Sequence, residues 1–127
     1  SYNSSPFAFQ HVLDVIAHDI TADRKIAVIG EMLELGERAI TLHEECGQLV
    51  ASAGLDSIFS VGGLPARALA VAAISSGMPP DSVTYVENSK QAADLVTEFV
   101  RPGDLVLVKG SRGISTDLVA DQILRCN

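Results

Sequence analysis

Leu105-Val-Leu-Val-Lys-Gly-Ser-Arg-Gly-Ile-Ser-Thr-Asp117 holds the fold in miniature. Leu105 to Val108 has the length and β-branching of a buried strand. Lys109-Gly110-Ser111-Arg112-Gly113 then sets two cations, a hydroxyl and two glycines side by side. Ser115-Thr116-Asp117 reads as the capped start of a helix running to about Arg125. A strand that ends in a basic glycine loop and feeds a helix aims backbone N–H groups and the positive end of the helix dipole at one spot, which favours an anion. Neither Gly-x-x-x-x-Gly-Lys-Ser/Thr nor Gly-x-Gly-x-x-Gly is present there. Such a turn also needs glycine for positive φ or tight packing alone. The anion reading gains from Lys109 and Arg112 standing together in a chain with only 9 basic residues.

Strand followed by helix is also the pattern upstream. Ser4 or Ser5 caps a helix with Pro6 at its first position, carrying Phe7, Val12, Leu13, Val15 and Ile16 to about Ile20. Lys25 to Gly30 is a short buried strand. Glu31-Met-Leu-Glu-Leu-Gly36 is an acidic and apolar loop, followed by a helix from about Glu37 to Ala53 with Gly54 as its stop. Ser57 to Val61 is the next strand. The helix from about Pro65 to Ser76 is almost wholly Ala, Leu, Val and Ile, and is expected to be largely buried. Ser82 to Val86 is a third strand, less apolar and nearer an edge. Asn88 or Ser89 caps a helix to about Val100, and Arg101-Pro-Gly-Asp104 is a turn.

Alternating strands and helices imply parallel pairing, hence an α/β fold: a Rossmann-like three-layer α/β/α sandwich, its mostly parallel sheet covered by helices on both faces. Ligands bind such sheets at the carboxyl ends of the strands. The acidic Gly30–Gly36 loop and the basic Lys109–Ser115 loop therefore share one rim with Gly62–Leu64 and Glu87-Asn88.

A length of 127 residues with 47% apolar content suits one domain with an aliphatic core. The net charge of −7 argues against nucleic acid or an anionic membrane as partner. Cys46 and Cys126 show no metal spacing and read as reduced thiols, which favours a cytosolic setting. No apolar run approaches the roughly 20 residues of a membrane span. The opening Ser-Tyr-Asn-Ser-Ser-Pro lacks Met, and the chain is expected to be cut from something longer.

The acid–base inventory on the rim is Glu31, Glu34, Glu87, Lys109 and Arg112. His11 and His18 read as solvated or half-buried helix residues. His43 follows the acidic loop and is the histidine nearest the rim, though packing is its leading role. No nucleophile–histidine pair and no carboxylate cluster for a metal is suggested. The residues describe a binder of something anionic or zwitterionic, without a catalytic machine of its own.

Three segments carry a family resemblance. Tyr2-Asn-Ser-Ser-Pro6, Gly30-Glu-Met-Leu-Glu-Leu-Gly36 with His43, and Val108-Lys-Gly-Ser-Arg112 resemble the C-terminal domain of the Mur ligases, and within them the branch that adds D-alanyl-D-alanine to UDP-N-acetylmuramoyl-tripeptide. The family's usual forms are Tyr-Asn-Ala-Asn-Pro, Gly-Asp-Met-Leu-Glu-Leu-Gly and Val-Lys-Gly-Ser-Arg. Two departures stand out: Ser4-Ser5 replace Ala-Asn, and Glu31 replaces Asp, keeping the charge one methylene further out.

The resemblance implies a peptidoglycan-precursor enzyme of three domains. Residues 1–127 are then the last domain, and the UDP-substrate and central ATP-binding domains lie elsewhere. ATP phosphorylates the tripeptide carboxylate, and the amine of D-alanyl-D-alanine attacks the acyl phosphate. ATP and Mg²⁺ are held mainly by the central domain, with no catalytic residue and no metal site in this one. Lys109, Ser111, Arg112, Ser115 and Glu31 are the implied substrate-binding residues, and Tyr2 and Asn3 lie near the nucleotide. A further strand is expected before Ser1, and the sheet edge left in its absence is a candidate for pairing with a second copy. The competing reading is a stand-alone flavodoxin-like regulatory or small-ligand-binding module. A receiver module needs an acidic residue at the end of its strand, and Val61 is followed by Gly62-Gly63 instead.

Overall fold

The computed structural model describes residues 6–110. Helix α1 (Pro6–Ala17) leads into β1 (Arg24–Gly30), and a 3-10 turn at Gly36–Arg38 opens α2 (Ala39–Ala51). Next come β2 (Ser57–Val61), α3 (Leu64–Ser75), a 3-10 turn at Pro80–Ser82, β3 (Val83–Val86), α4 (Ser89–Phe99) and β4 (Asp104–Lys109). α1 stops short of Ile20 because the Asp19 carboxylate takes the N–H groups of Thr21 and Ala22, at 2.8 and 3.0 Å, and turns the chain. α4 begins as expected at Asn88, whose side chain accepts the Gln91 N–H in a capping box.

The four strands are parallel in the order β3-β2-β1-β4. Alternation along β1 divides the core. Ala27 and Ile29 pack with Phe9, Leu13, Cys46, Val50 and Leu69 under α1, α2 and α3. Ile26 and Val28 pack with Phe59, Val61, Ala92, Ala93 and Val96 under α4. These are the three expected layers. β1 is paired on both edges and covered on both faces, so Ile26 to Gly30 is buried without a polar residue.

From β1 the chain steps to β2 and β3 with α2 and α3 on one face. It then returns over the opposite face through α4 to reach β4 on the far side of β1. Keeping one crossover hand while reversing direction requires that change of face. The β1–β4 boundary is the point where strand order reverses.

Two expectations need correction. Leu105 to Val108 is half-buried rather than buried, because β4 pairs only with β1 among the described residues. α3 buries Ala66, Leu69, Ala70 and Ala73 but leaves Leu64, Val71 and Ile74 exposed. Its small residues let it press against α2 at Gly47, where an added Cβ would overlap the Leu69 carbonyl oxygen and sit 2.8 Å from Ala72 Cβ.

A clamp closes the opposite end of the sheet. Arg24 and Asp104 are register partners across β1 and β4. Arg24 Nε and Nη2 donate to the two Asp104 oxygens at 3.0 and 2.7 Å, and Nη2 also donates to the Phe99 carbonyl at 2.8 Å. The guanidinium lies 4.4 Å from the centre of the Phe99 ring, which meets Phe59 edge to face. The Arg24 hydrogen bonds, with a further one from the Arg101 N–H, hold the Asp104 carboxyl pKa below its ordinary value.

Candidate functional site

β1 and β4 run in register with Ile29 beside Lys109, so the start of the acidic loop and the end of β4 lie side by side where the strand order reverses. By alternation Lys109 falls on the face of Leu107, which packs toward α1–α3. Lys109 is half-buried, and loss of solvent draws its ammonium pKa below the ordinary range. Glu31 and Lys109 are the proposed ligand contacts within the described residues. Ser111, Arg112, Ser115, Tyr2 and Asn3 lie outside them, as do the expected final helix and Cys126.

The rim continues the sheet beyond its strands. The Glu31 N–H donates to the Val61 carbonyl at 2.8 Å, and the Gly62 N–H to the Val86 carbonyl at 3.0 Å. Glu31 Oε1 accepts the Gly63 N–H at 2.7 Å. Gly63 is the N-cap of α3 and brings no side-chain cap, so a carboxylate from the β1 loop supplies it and meets the positive end of the helix dipole. Gly62 must be glycine on two counts. Its φ is +145°, and a Cβ there would lie 2.7 Å from Glu31 Cβ. The Tyr85 hydroxyl donates to the Gly62 carbonyl at 2.7 Å. Tyr85 and Glu31 thus hold opposite ends of the Gly62–Gly63 peptide.

Under the acidic loop lies His43, fully buried. Its Nδ1 is 2.7 Å from the Ala39 carbonyl, which can only accept, so Nδ1 carries the proton. Nε2 then accepts the Met32 N–H at 3.0 Å. Burial pushes the imidazole pKa down, opposed by the Ala39 carbonyl and the Glu31 charge. His43 is a neutral brace of the rim. The loop turns over at Glu34, exposed and left-handed at φ +65°, and at Gly36 with φ +61°.

The remaining candidates separate cleanly. His11, His18 and Glu87 are exposed. Cys46 is fully buried and its thiol is pushed up to about 12, which makes it a packing residue. Among the described residues no group of three or more His, Cys, Asp or Glu side chains is arranged to hold a metal ion, and no helix is long and apolar enough to cross a membrane. Sequence reasoning missed Tyr85. Its signal was a phenol one residue from the end of a strand, where a half-buried ring needs a partner for its hydroxyl.

Residues 1–112 match the family model described as Mur ligase, glutamate ligase domain. The chain is 30% identical over 124 residues to the UDP-N-acetylmuramoyl-tripeptide–D-alanyl-D-alanine ligase of Bacillus subtilis, covering 98% of this chain and 27% of that protein. The enzyme of the same name from Rickettsia prowazekii is 30% identical over 122 residues, covering 94% of this chain and 25% of the relative. The chain therefore spans about a quarter of the length of these curated relatives. The crystal structure of the MurF ligase from Thermotoga maritima in complex with ADP superposes with a TM-score of 0.74 at 27% identity, over 98% of this chain and 27% of that one. A MurF crystal structure from Acinetobacter baumannii has the same fold, with a TM-score of 0.80 at 24% identity over 98% of this chain and 27% of that one. The ends of β1 and β4 lie side by side in a fold that these proteins share, and with the family match over residues 1–112 the chain belongs to the Mur ligase, glutamate ligase domain family.

Proposed function

We propose that residues 1–127 act as the C-terminal domain of a cytoplasmic, ATP-dependent ligase that joins D-alanyl-D-alanine to UDP-N-acetylmuramoyl-tripeptide. The observation that carries this reading is the Ile29–Lys109 register, which brings the end of β4 beside the strand that leads into Glu31, at the strand-order reversal of a Mur ligase domain. The names of the relatives from B. subtilis and R. prowazekii support the choice of substrates.

In this reading the domain receives the dipeptide and closes over the activated intermediate. The tripeptide carboxylate attacks the γ-phosphoryl group of ATP, releasing ADP and leaving an acyl phosphate. The dipeptide nitrogen attacks the acyl carbon, loses a proton and expels phosphate. Lys109 and Arg112 meet the dipeptide carboxylate or the phosphoryl oxygens, with Arg112 suited to bidentate capture. Ser111, Ser115 and backbone N–H groups complete that wall. Glu31 forms the facing wall through Gly63, and Tyr2 and Asn3 approach the nucleotide. ATP and Mg²⁺ are bound mainly by other domains of the complete enzyme. Positioning and exclusion of water on closure supply the catalysis.

The test is product formation by the complete enzyme. Amide product and phosphate should appear only when ATP, UDP-N-acetylmuramoyl-tripeptide and D-alanyl-D-alanine are all present. Failure to use the dipeptide, or turnover with a single amino acid in its place, refutes the assignment.

A further inference from the structure

Both peptide planes that flank the Glu31 Cα are pinned from outside the loop. The plane before it donates through the Glu31 N–H to the Val61 carbonyl at 2.8 Å. The plane after it donates through the Met32 N–H to His43 Nε2 at 3.0 Å. With both planes held, the direction in which the Glu31 side chain leaves the backbone is set, and Oε1 arrives at the Gly63 N–H at 2.7 Å. The Gly63 N–H belongs to the same peptide plane as the Gly62 carbonyl, which takes the Tyr85 hydroxyl at 2.7 Å. His43 and Tyr85 thus grip the two ends of one relay. His43 and Ser60 are the buried polar side chains among the described residues. Ser60 bonds the Ala66 carbonyl within the core, at 2.7 Å, whereas His43 reaches up to the rim.

We propose that His43 and Tyr85 are positioning residues for the acceptor substrate. Through Met32–Glu31 and Gly62–Gly63 they give the wall facing Lys109 its shape before the dipeptide arrives. Neither touches the dipeptide. The proposal rests on the ligase reading above for the identity of the substrate, and on geometry alone for the relay.

The experiment uses three variants of the complete ligase. H43N retains a donor for the Ala39 carbonyl but loses the acceptor for Met32. H43Q returns an oxygen to the position of Nε2, and Y85F removes the hydroxyl. H43N and Y85F are expected to raise the KM for D-alanyl-D-alanine about tenfold, leave the KM for ATP unchanged, and H43Q is expected to recover most of the loss. Equal rises in both KM values, or parent-like KM in H43N and Y85F, overturn the proposal. Nitrogen-15 NMR of the present chain tests the relay apart from the reaction. The Nδ1–H tautomer, and a Gly63 amide resonance that moves in H43N, support it. A Gly63 amide unmoved by H43N overturns it whatever the enzyme does. If Gly63 responds while the parent enzyme ignores the dipeptide, the relay stands and the ligase reading falls.

Discussion

Glu31 Oε1 accepts the Gly63 N–H at 2.7 Å, so a carboxylate at the end of β1 caps the helix that follows β2. Removing the cap in E31A should cost about 1 kcal/mol of stability, while E31Q, still an acceptor, should lose only a few tenths. Urea titration of the chain checks the order: E31A clearly below E31Q.

The Arg24–Asp104 clamp should respond to both mutation and pH. Removing one partner of a bidentate, partly buried pair leaves the other charge uncompensated, and R24A or D104A should cost roughly 2–4 kcal/mol. The folded pKa of Asp104 lies below its ordinary 3.8, so on acidification the unfolded chain takes up the proton first. This contribution is whole above that ordinary value and is lost as pH falls through the folded one. Denaturation midpoints measured between pH 6 and about 2 should drop less steeply in D104N than in the parent.

His43 has the opposite chemistry but the same slope. Its folded pKa lies below the ordinary 6.5, so below that pH the unfolded chain binds a proton that the folded chain refuses. Stability should be flat in this respect above 6.5 and fall progressively below it. In H43Q the loss between pH 6.5 and the carboxylate range should be smaller, read from thermal midpoints across that window.

Gly47 should resist even the smallest side chain. Alanine gains about 1 kcal/mol over glycine in a free helix, yet here the Cβ would overlap the Leu69 carbonyl oxygen and crowd Ala72. Overpacking of that kind costs roughly 1–3 kcal/mol, so G47A should be destabilised by about 1 kcal/mol and G47V by more. A G47A chain more stable than the parent would contradict the close α2–α3 contact.

Much of this fold was legible because its signals are local. Ile26 to Gly30 in β1 is an unbroken apolar run, Asn88 and Gln91 stand three apart at the start of α4, and Gly54 takes positive φ past α2. What could not be read is how many neighbours an element has. Leu105 to Val108 looks like Lys25 to Gly30 in composition, but β1 has strands on both sides and β4 on one among those described. The α3 run of Ala, Leu, Val and Ile likewise conceals which face α2 leaves open. That Glu31 and Lys109 follow strand ends on one rim could be read from topology, while the wiring of that rim joins residues far apart in the chain: Met32 with His43, Glu31 with Gly63, and Gly62 with Tyr85. Hydrogen bonds of that range leave no periodic trace. His43 could be placed near the rim, but only its two partners identify it as a brace.

In the proposed ligase Lys109 and Arg112 serve the dipeptide and the transferred phosphoryl group, and the affinity for ATP comes from other domains. Steady-state kinetics of the complete ligase carrying K109A and R112A together tests it most directly. The expected result is a fall in kcat/KM for D-alanyl-D-alanine of about a hundredfold or more, with ATP affinity within about threefold of the parent. Unimpaired turnover of the dipeptide by the double variant would contradict the account.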